Sequence, residues 1–153
     1  ELEKTMHLSE FDIVQAPLNI IDRRLETTGW LSRLNKYGVE IHTRSTFLQG
    51  LLLMKYDKIP KKFNKWNNIF AQWSSEIEKN DLDAVKECLL YPLSLPEINH
   101  IVIGVDSFNQ FKDIIKLTKN IVKLKKKKKF NRDWSFMISN DTKLINPYNW
   151  KNL

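Results

Sequence analysis

The chain has 153 residues, 42% of them hydrophobic and 11% aromatic, which is material for one domain with a substantial apolar core. Its net charge of +7 would suit a nucleic-acid binder, but Lys123 and the lysines at 125–129 supply six positive charges and leave +1 for the rest of the chain. That basicity is a local block, read as a solvated helix end, so neither nucleic acid nor a membrane is an expected partner.

In chain order, "ELEKTMHLSE" has no apolar stretch of the kind a signal peptide carries, and no later run approaches the ~20 apolar residues of a membrane span. The opening Glu1, in place of a methionine, points to residues upstream. Residues 12–15 read as a short buried strand broken by Pro17. "TTGWLSRLNKYG" (27–38) reads as a helix with Leu31 and Leu34 three apart and Gly38 as its stop. "VEIHT" (39–43) alternates and is rich in β-branched residues, so it is a second strand. Glu40 points away from Ile41 and is expected near an outer helix.

A polar connection with Pro60 follows. Residues 63–80 then place Phe63, Trp66, Ile69, Phe70, Trp73 and Ile77 on one helical face, read as packing surface. Residues 81–94 form a further helix, ended near Pro92. Its single cysteine, Cys88, reads as ordinary packing; it excludes an internal disulfide and fits a reducing cytoplasm. "INHIVIGV" (98–105) is the most apolar strand. Residues 106–124 are the helix after it, with Phe108, Phe111, Ile114, Ile115 and Ile121 as the expected apolar face. The tail from 125 onward is irregular and is expected to lie over the outside of the fold.

Strands alternating with helices imply βαβ units and a parallel sheet. Three such strands leave open edges, so the expected class is α/β, as part of a larger sheet or barrel. Ligands of such folds sit at the carboxyl ends of the strands. Here those ends are residues 15–19, 44–50 and 104–110. Gly104 allows a close turn, and Asp106 or Ser107 can cap the next helix, leaving open a plain cap or an anion site at its N-terminus. Arg44 either binds phosphate or stacks on a ring, or it pairs with a carboxylate such as Asp22 or Asp106. No catalytic set or metal-spaced cluster is visible along the chain. His7, His42 and His100 are isolated in sequence, and the latter two read as structural histidines.

"FDIVQAPLNIIDRR", "GVEIHTRSTFLQGLLL", "IVIGVDSFNQFKDI" and "LINPYNW", in that order, resemble the C-terminal half of the aldo/keto reductase family. The likeness runs from about Glu1 to Trp150. It is closest to a bacterial branch found among sugar and polysaccharide biosynthesis genes. The resemblance implies a (β/α)8 barrel that transfers hydride between a nicotinamide cofactor and a small carbonyl or sugar substrate. It makes the strands here the sixth, seventh and eighth, and it implies a missing N-terminal half of the barrel.

By that resemblance Gln15 holds the nicotinamide carboxamide, and Arg44 stands where the family has a stacking aromatic. Ser45, Leu48 and Gly50 belong to the loop under the pyrophosphate. Gly104, Ser107 and Gln110 grip the adenosine half. Asp113 matches a family glutamate near the adenine, while Ile114 replaces an asparagine. The family's usual cofactor is NADPH, but a carboxylate at Asp106 would repel a 2′-phosphate, so NADP and NAD both stay open. The family's Asp, Tyr, Lys and His tetrad comes from the first four strands. Tyr37, Tyr56, Tyr91 and Tyr148 match no catalytic position, so the chain alone is expected to be an inactive fragment of an enzyme. The alternative is a non-catalytic α/β binding module that self-associates.

Overall fold

A computed structural model describes residues 2–7, 9–125 and 132–153; the lysines at 126–129 lie outside them. The sheet has three parallel strands in the order β1 (Ile13–Pro17), β2 (Glu40–Arg44) and β3 (His100–Ile101). Around it lie α1 (Leu2–Met6), α2 (Arg24–Thr27), α3 (Trp30–Lys36), α4 (Asn67–Lys79), α5 (Ala84–Ser94), α6 (Phe108–Lys125) and α7 (Thr142–Ile145). No described helix is long and apolar enough to cross a membrane.

The first strand runs two residues further than its sequence implies, through Pro17, which pairs with Arg44. Leu18 N–H donates to Arg44 C=O at 3.1 Å. By alternation, the position of the N–H that Pro17 lacks faces the open edge, where no ladder bond is lost. The helix expected over 27–38 begins only at Trp30, because Gly29 at φ 76°, a left-handed residue, separates it from the short α2 that ends at Thr27. Gly38, at φ 72°, ends α3 as expected. The α5 helix passes through Pro92 and stops within a turn, at Ser94. The third strand keeps only two of its eight expected residues, although Val102 N–H still reaches Thr43 C=O at 2.7 Å. Among the described residues it has a pairing partner on the β2 side alone.

The two faces of the sheet differ. Ile41 and Thr43 are fully buried, and Ile41 packs with Ala16, Leu25, Leu31 and Leu34 beneath α2 and α3. The alternate residues, Gln15, Glu40, His42, Arg44 and His100, share the opposite face. This overturns the expected setting of Glu40, which lies on the face away from the helices.

The larger core gathers the loop after β2, helices α4 to α6 and the tail. Phe70 and Trp73 of α4 are buried, and Trp73 Nε1–H donates to Leu52 C=O at 3.0 Å. Phe63 meets Trp150 edge-on at 4.9 Å, and Trp73 meets Trp134 in the same way at 4.9 Å. Trp134, Met137, Leu144 and Ile145 from the tail are all buried in this core.

Helix α6 departs from its expected apolar face. Ile114 and Ile121 are buried, but Phe108, Phe111 and Ile115 are 72%, 47% and 39% exposed. The helix carries two adjacent apolar stripes, and only the one through Ile114 and Ile121 has a partner among the described residues. Cys88 is fully buried, and desolvation pushes its thiol well above the usual thiol range, so it is inert packing.

Candidate functional site

The carboxyl ends of β1 and β2 are held together by a residue that sequence reasoning passed over. Asn19 is fully buried. Its Oδ1 accepts from the backbone N–H groups of Ile21 and Asp22, both at 2.9 Å. Its Nδ2 donates to Ser45 C=O at 3.0 Å, which ties the β1 end to the β2 end. Beside it, the buried Asp22 carboxylate takes both Nε and Nη2 of Arg24 at 2.9 Å. A short asparagine in a loop has no periodic signal; only its position immediately after a strand end could have flagged it.

The pairing of Asp22 with Arg24 decides one alternative for Arg44. Arg44 is exposed, its Nη1 contacts Ser45 Oγ at 3.3 Å, and it makes no ion pair with any described carboxylate. Its guanidinium is therefore available to an external anion or ring.

The loop that follows is strained. Ser45, Leu48 and Gln49 have φ of 65°, 47° and 54°, and Gly50 has 81°. Left-handed geometry at non-glycine residues costs about 1 kcal/mol each and persists where surroundings impose it, often at functional sites. The turn is closed by Leu48 N–H to Ser45 C=O at 2.9 Å and Leu51 N–H to Leu48 C=O at 3.1 Å. The N–H groups of Gln49 and Gly50 have no acceptor among the described residues. Successive unbonded amides in left-handed geometry form a concavity that suits an anion. Leu48 itself is fully buried, so only its backbone reaches this surface.

Gln15, Pro17, Arg44 and Ser45, with Arg24 and Asn146, line a cleft of about 710 Å³. A second cleft of about 600 Å³ lies between the loop after β2 and α6, lined by Phe47, Leu53, Gln110, Asp113 and Lys116. Of the expected cofactor residues, Gln15, Arg44 and Ser45 line the first cleft and Gln110 and Asp113 the second, while Leu48, Gly50, Gly104 and Ser107 line neither. Two of them are engaged within the start of α6. Ser107 Oγ accepts from Gln110 N–H at 3.2 Å, and Gln110 Oε1 accepts from Asp106 N–H at 2.7 Å. That is a variant of the capping box, the plainer of the two readings for this turn. Gly104 is not left-handed, and a Cβ there would meet nothing within 4 Å, so its backbone lies open to an approaching group. Gly50 requires glycine-like freedom by its φ; Gly104 does not.

No protein-family model matches the chain, and no curated protein matches it significantly in sequence. Solved structures do. The apo form of aldo-keto reductase AKR11C1 from Bacillus halodurans superposes with a TM-score of 0.59 at 18% identity, over 80% of this chain and 46% of that one. The three-strand barrel segment has its counterpart there. The fold is therefore part of a barrel like that of the reductase. The holo form of the same reductase gives a TM-score of 0.54 at the same identity and coverage. The chain spans about half the length of the reductase structures it matches, and at that identity the likeness concerns the barrel fold alone.

Proposed function

We propose that the chain is the C-terminal portion of a nicotinamide-dependent aldo-keto reductase and forms the cofactor-side wall of its barrel. The observation that carries this reading is Arg44, a guanidinium with no described carboxylate partner, beside the strained 45–50 loop and its unbonded amides. Together they suit a pyrophosphate and an aromatic ring next to it. Bound there, a nicotinamide dinucleotide would supply the hydride for reducing an aldehyde, ketone or sugar carbonyl.

The chain's own residues orient and hold. Gln15 offers its side-chain amide to the carboxamide. Arg44 packs its plane on the ring. Ser45 Oγ and the backbone N–H groups of Gln49 and Gly50, held in place by the turn through Leu48, donate to the phosphates. Gly104, Ser107, Gln110 and Asp113 bound the adenosine side, where the Asp106 carboxylate disfavours a 2′-phosphate. None of the four tyrosines lines the Arg44 cleft, and Tyr91 is half-buried with its hydroxyl donated to Glu26. Burial, reinforced by that carboxylate, raises the Tyr91 hydroxyl far above its usual range, which makes it a poor proton donor to substrate. The proton donor therefore belongs to other strands, and the chain alone is inactive. The buried free thiol suits a reducing cytoplasmic setting.

The test is a fluorescence titration of the chain with NADH and NADPH, alongside turnover of a test aldehyde. Saturable binding that weakens at least tenfold in Arg44→Ala, with no turnover, is expected. Absence of binding, or binding indifferent to Arg44, overturns the reading. A second reading, a non-catalytic module that self-associates, rests on the exposed apolar stripe of α6 and is separated by the titration, where it predicts no dinucleotide binding.

A further inference from the structure

The face of the sheet that carries Arg44 also carries a group of ligand-type side chains nearer the amino ends of the strands. His42 and His100 are register partners on adjacent parallel strands. Registered residues project to the same side, and neighbouring strands lie about 4.7–4.9 Å apart, so the two imidazoles must meet. Their ring centroids are 4.6 Å apart at 72°. Glu40, two residues before His42, points to the same side and reaches both rings. Glu40 Oε2 lies 3.4 Å from His42 Nε2, and Oε1 lies 3.3 Å from His100 Nε2. One ligand atom from each residue falls within 4.8 Å of the others. Moreover, His42 Nε2 is buried and has no hydrogen-bond partner among the described residues. A buried polar atom left in that state carries a penalty that a bound group removes.

We propose that Glu40, His42 and His100 form a binding site for one divalent transition-metal ion of the zinc type. Two imidazoles and one carboxylate are a zinc donor set, with a water completing four-coordination. Zinc bonds of about 2.0–2.1 Å in tetrahedral geometry separate neighbouring donor atoms by about 3.3 Å. Each imidazole lies at about that edge from one Glu40 oxygen, Oε2 for His42 and Oε1 for His100, so a modest turn of the carboxylate brings a single oxygen into position for both. The ion gives a direct bond to His42 Nε2, which has a 3.4 Å charge contact with Glu40 but no hydrogen bond, and it cross-links β2 to the two-residue β3, whose ladder is the shortest in the sheet. The site keeps one open, water-filled position, and it is independent of the cofactor reading.

The experiment is a competition titration of the 153-residue chain with Zn2+ against a chromogenic chelator, with Co2+ absorption as the geometric readout. One ion per chain is expected, with the intense visible bands of tetrahedral Co2+. Affinity should fall at least tenfold in His100→Ala, His42→Ala and Glu40→Gln, and chelation should lower the melting temperature of wild type but not of His100→Ala. His7→Ala is the control, because His7, just past the end of α1, and Glu3 form an exposed pair at 3.7 Å that could hold metal adventitiously. Failure of wild type to bind, undiminished binding in His100→Ala, or an equal loss in His7→Ala overturns the proposal. Should His42→Ala lose its fold by circular dichroism, His100→Ala decides the matter, since His100 is largely exposed.

Discussion

Replacing Asn19 by alanine removes the tie between the two strand-end loops. Three hydrogen bonds go with it: those from Ile21 N–H and Asp22 N–H, and the one to Ser45 C=O. The Ser45 carbonyl keeps Leu48 N–H as a donor, so its loss is partial. The two amides are in buried surroundings and keep no acceptor of comparable geometry. Leaving a buried donor unpaired costs about 1–3 kcal/mol. Two such donors, with some relaxation toward water, place the destabilisation at about 3 kcal/mol. For a domain of this size each kcal/mol lowers the melting temperature by about 2–4 °C, giving a fall of about 6–12 °C. Urea titration followed by circular dichroism reads the free energy directly. A change below about 0.5 kcal/mol would refute the reasoning, because it would mean the strand ends are positioned without Asn19.

Two other outcomes follow from single elements. Burial raises the Glu87 carboxyl above its ordinary value, against the opposing Arg132 guanidinium at 3.3 Å. The folded chain thus holds this proton more tightly than the unfolded chain, so the contribution is complete below the usual carboxylate pKa and is lost as pH rises. Glu87→Gln should therefore gain in melting temperature relative to wild type between about pH 4 and pH 7, and a pH-independent difference would contradict the sign. The exposed stripe of Phe108, Phe111, Ile115 and Val122 on α6 predicts concentration-dependent self-association of the isolated chain. Sedimentation velocity should show it, and Phe108→Ser with Phe111→Ser should return the chain to monomer; identical monomeric profiles for both would exclude the stripe as a contact surface.

Much of the layout was legible because periodicity is local. The alternation in "VEIHT" and the stop at Gly38 depend only on nearby residues, and the structure keeps them. The aromatic run from Phe63 still packs on one core, but Phe63 and Trp66 stand in a 3-10 turn (Lys61–Trp66) ahead of α4 rather than in one helix over 63–80. What depended on distant partners was not legible. The α6 helix shows two apolar stripes, and sequence alone does not say which one finds a core. The length of β3 depends on how many neighbours pair with it. The choice between a paired and a free Arg44 turned on whether Arg24 had already taken Asp22. The meeting of His42 with His100 is a matter of register across 58 positions of chain, which no spacing rule reaches. Asn19 escaped for the same reason, since its partner Ser45 lies on the next strand end.

The central claim is that the strand-end cleft at Arg44 receives a nicotinamide dinucleotide, and amide chemical-shift mapping of the labelled chain with NADPH and NADH tests it most directly. The account predicts saturable shifts at Gln15, across 44–50 and at 104–110, abolished in Arg44→Ala. Shifts confined to other surfaces, or none at saturating dinucleotide, would contradict it.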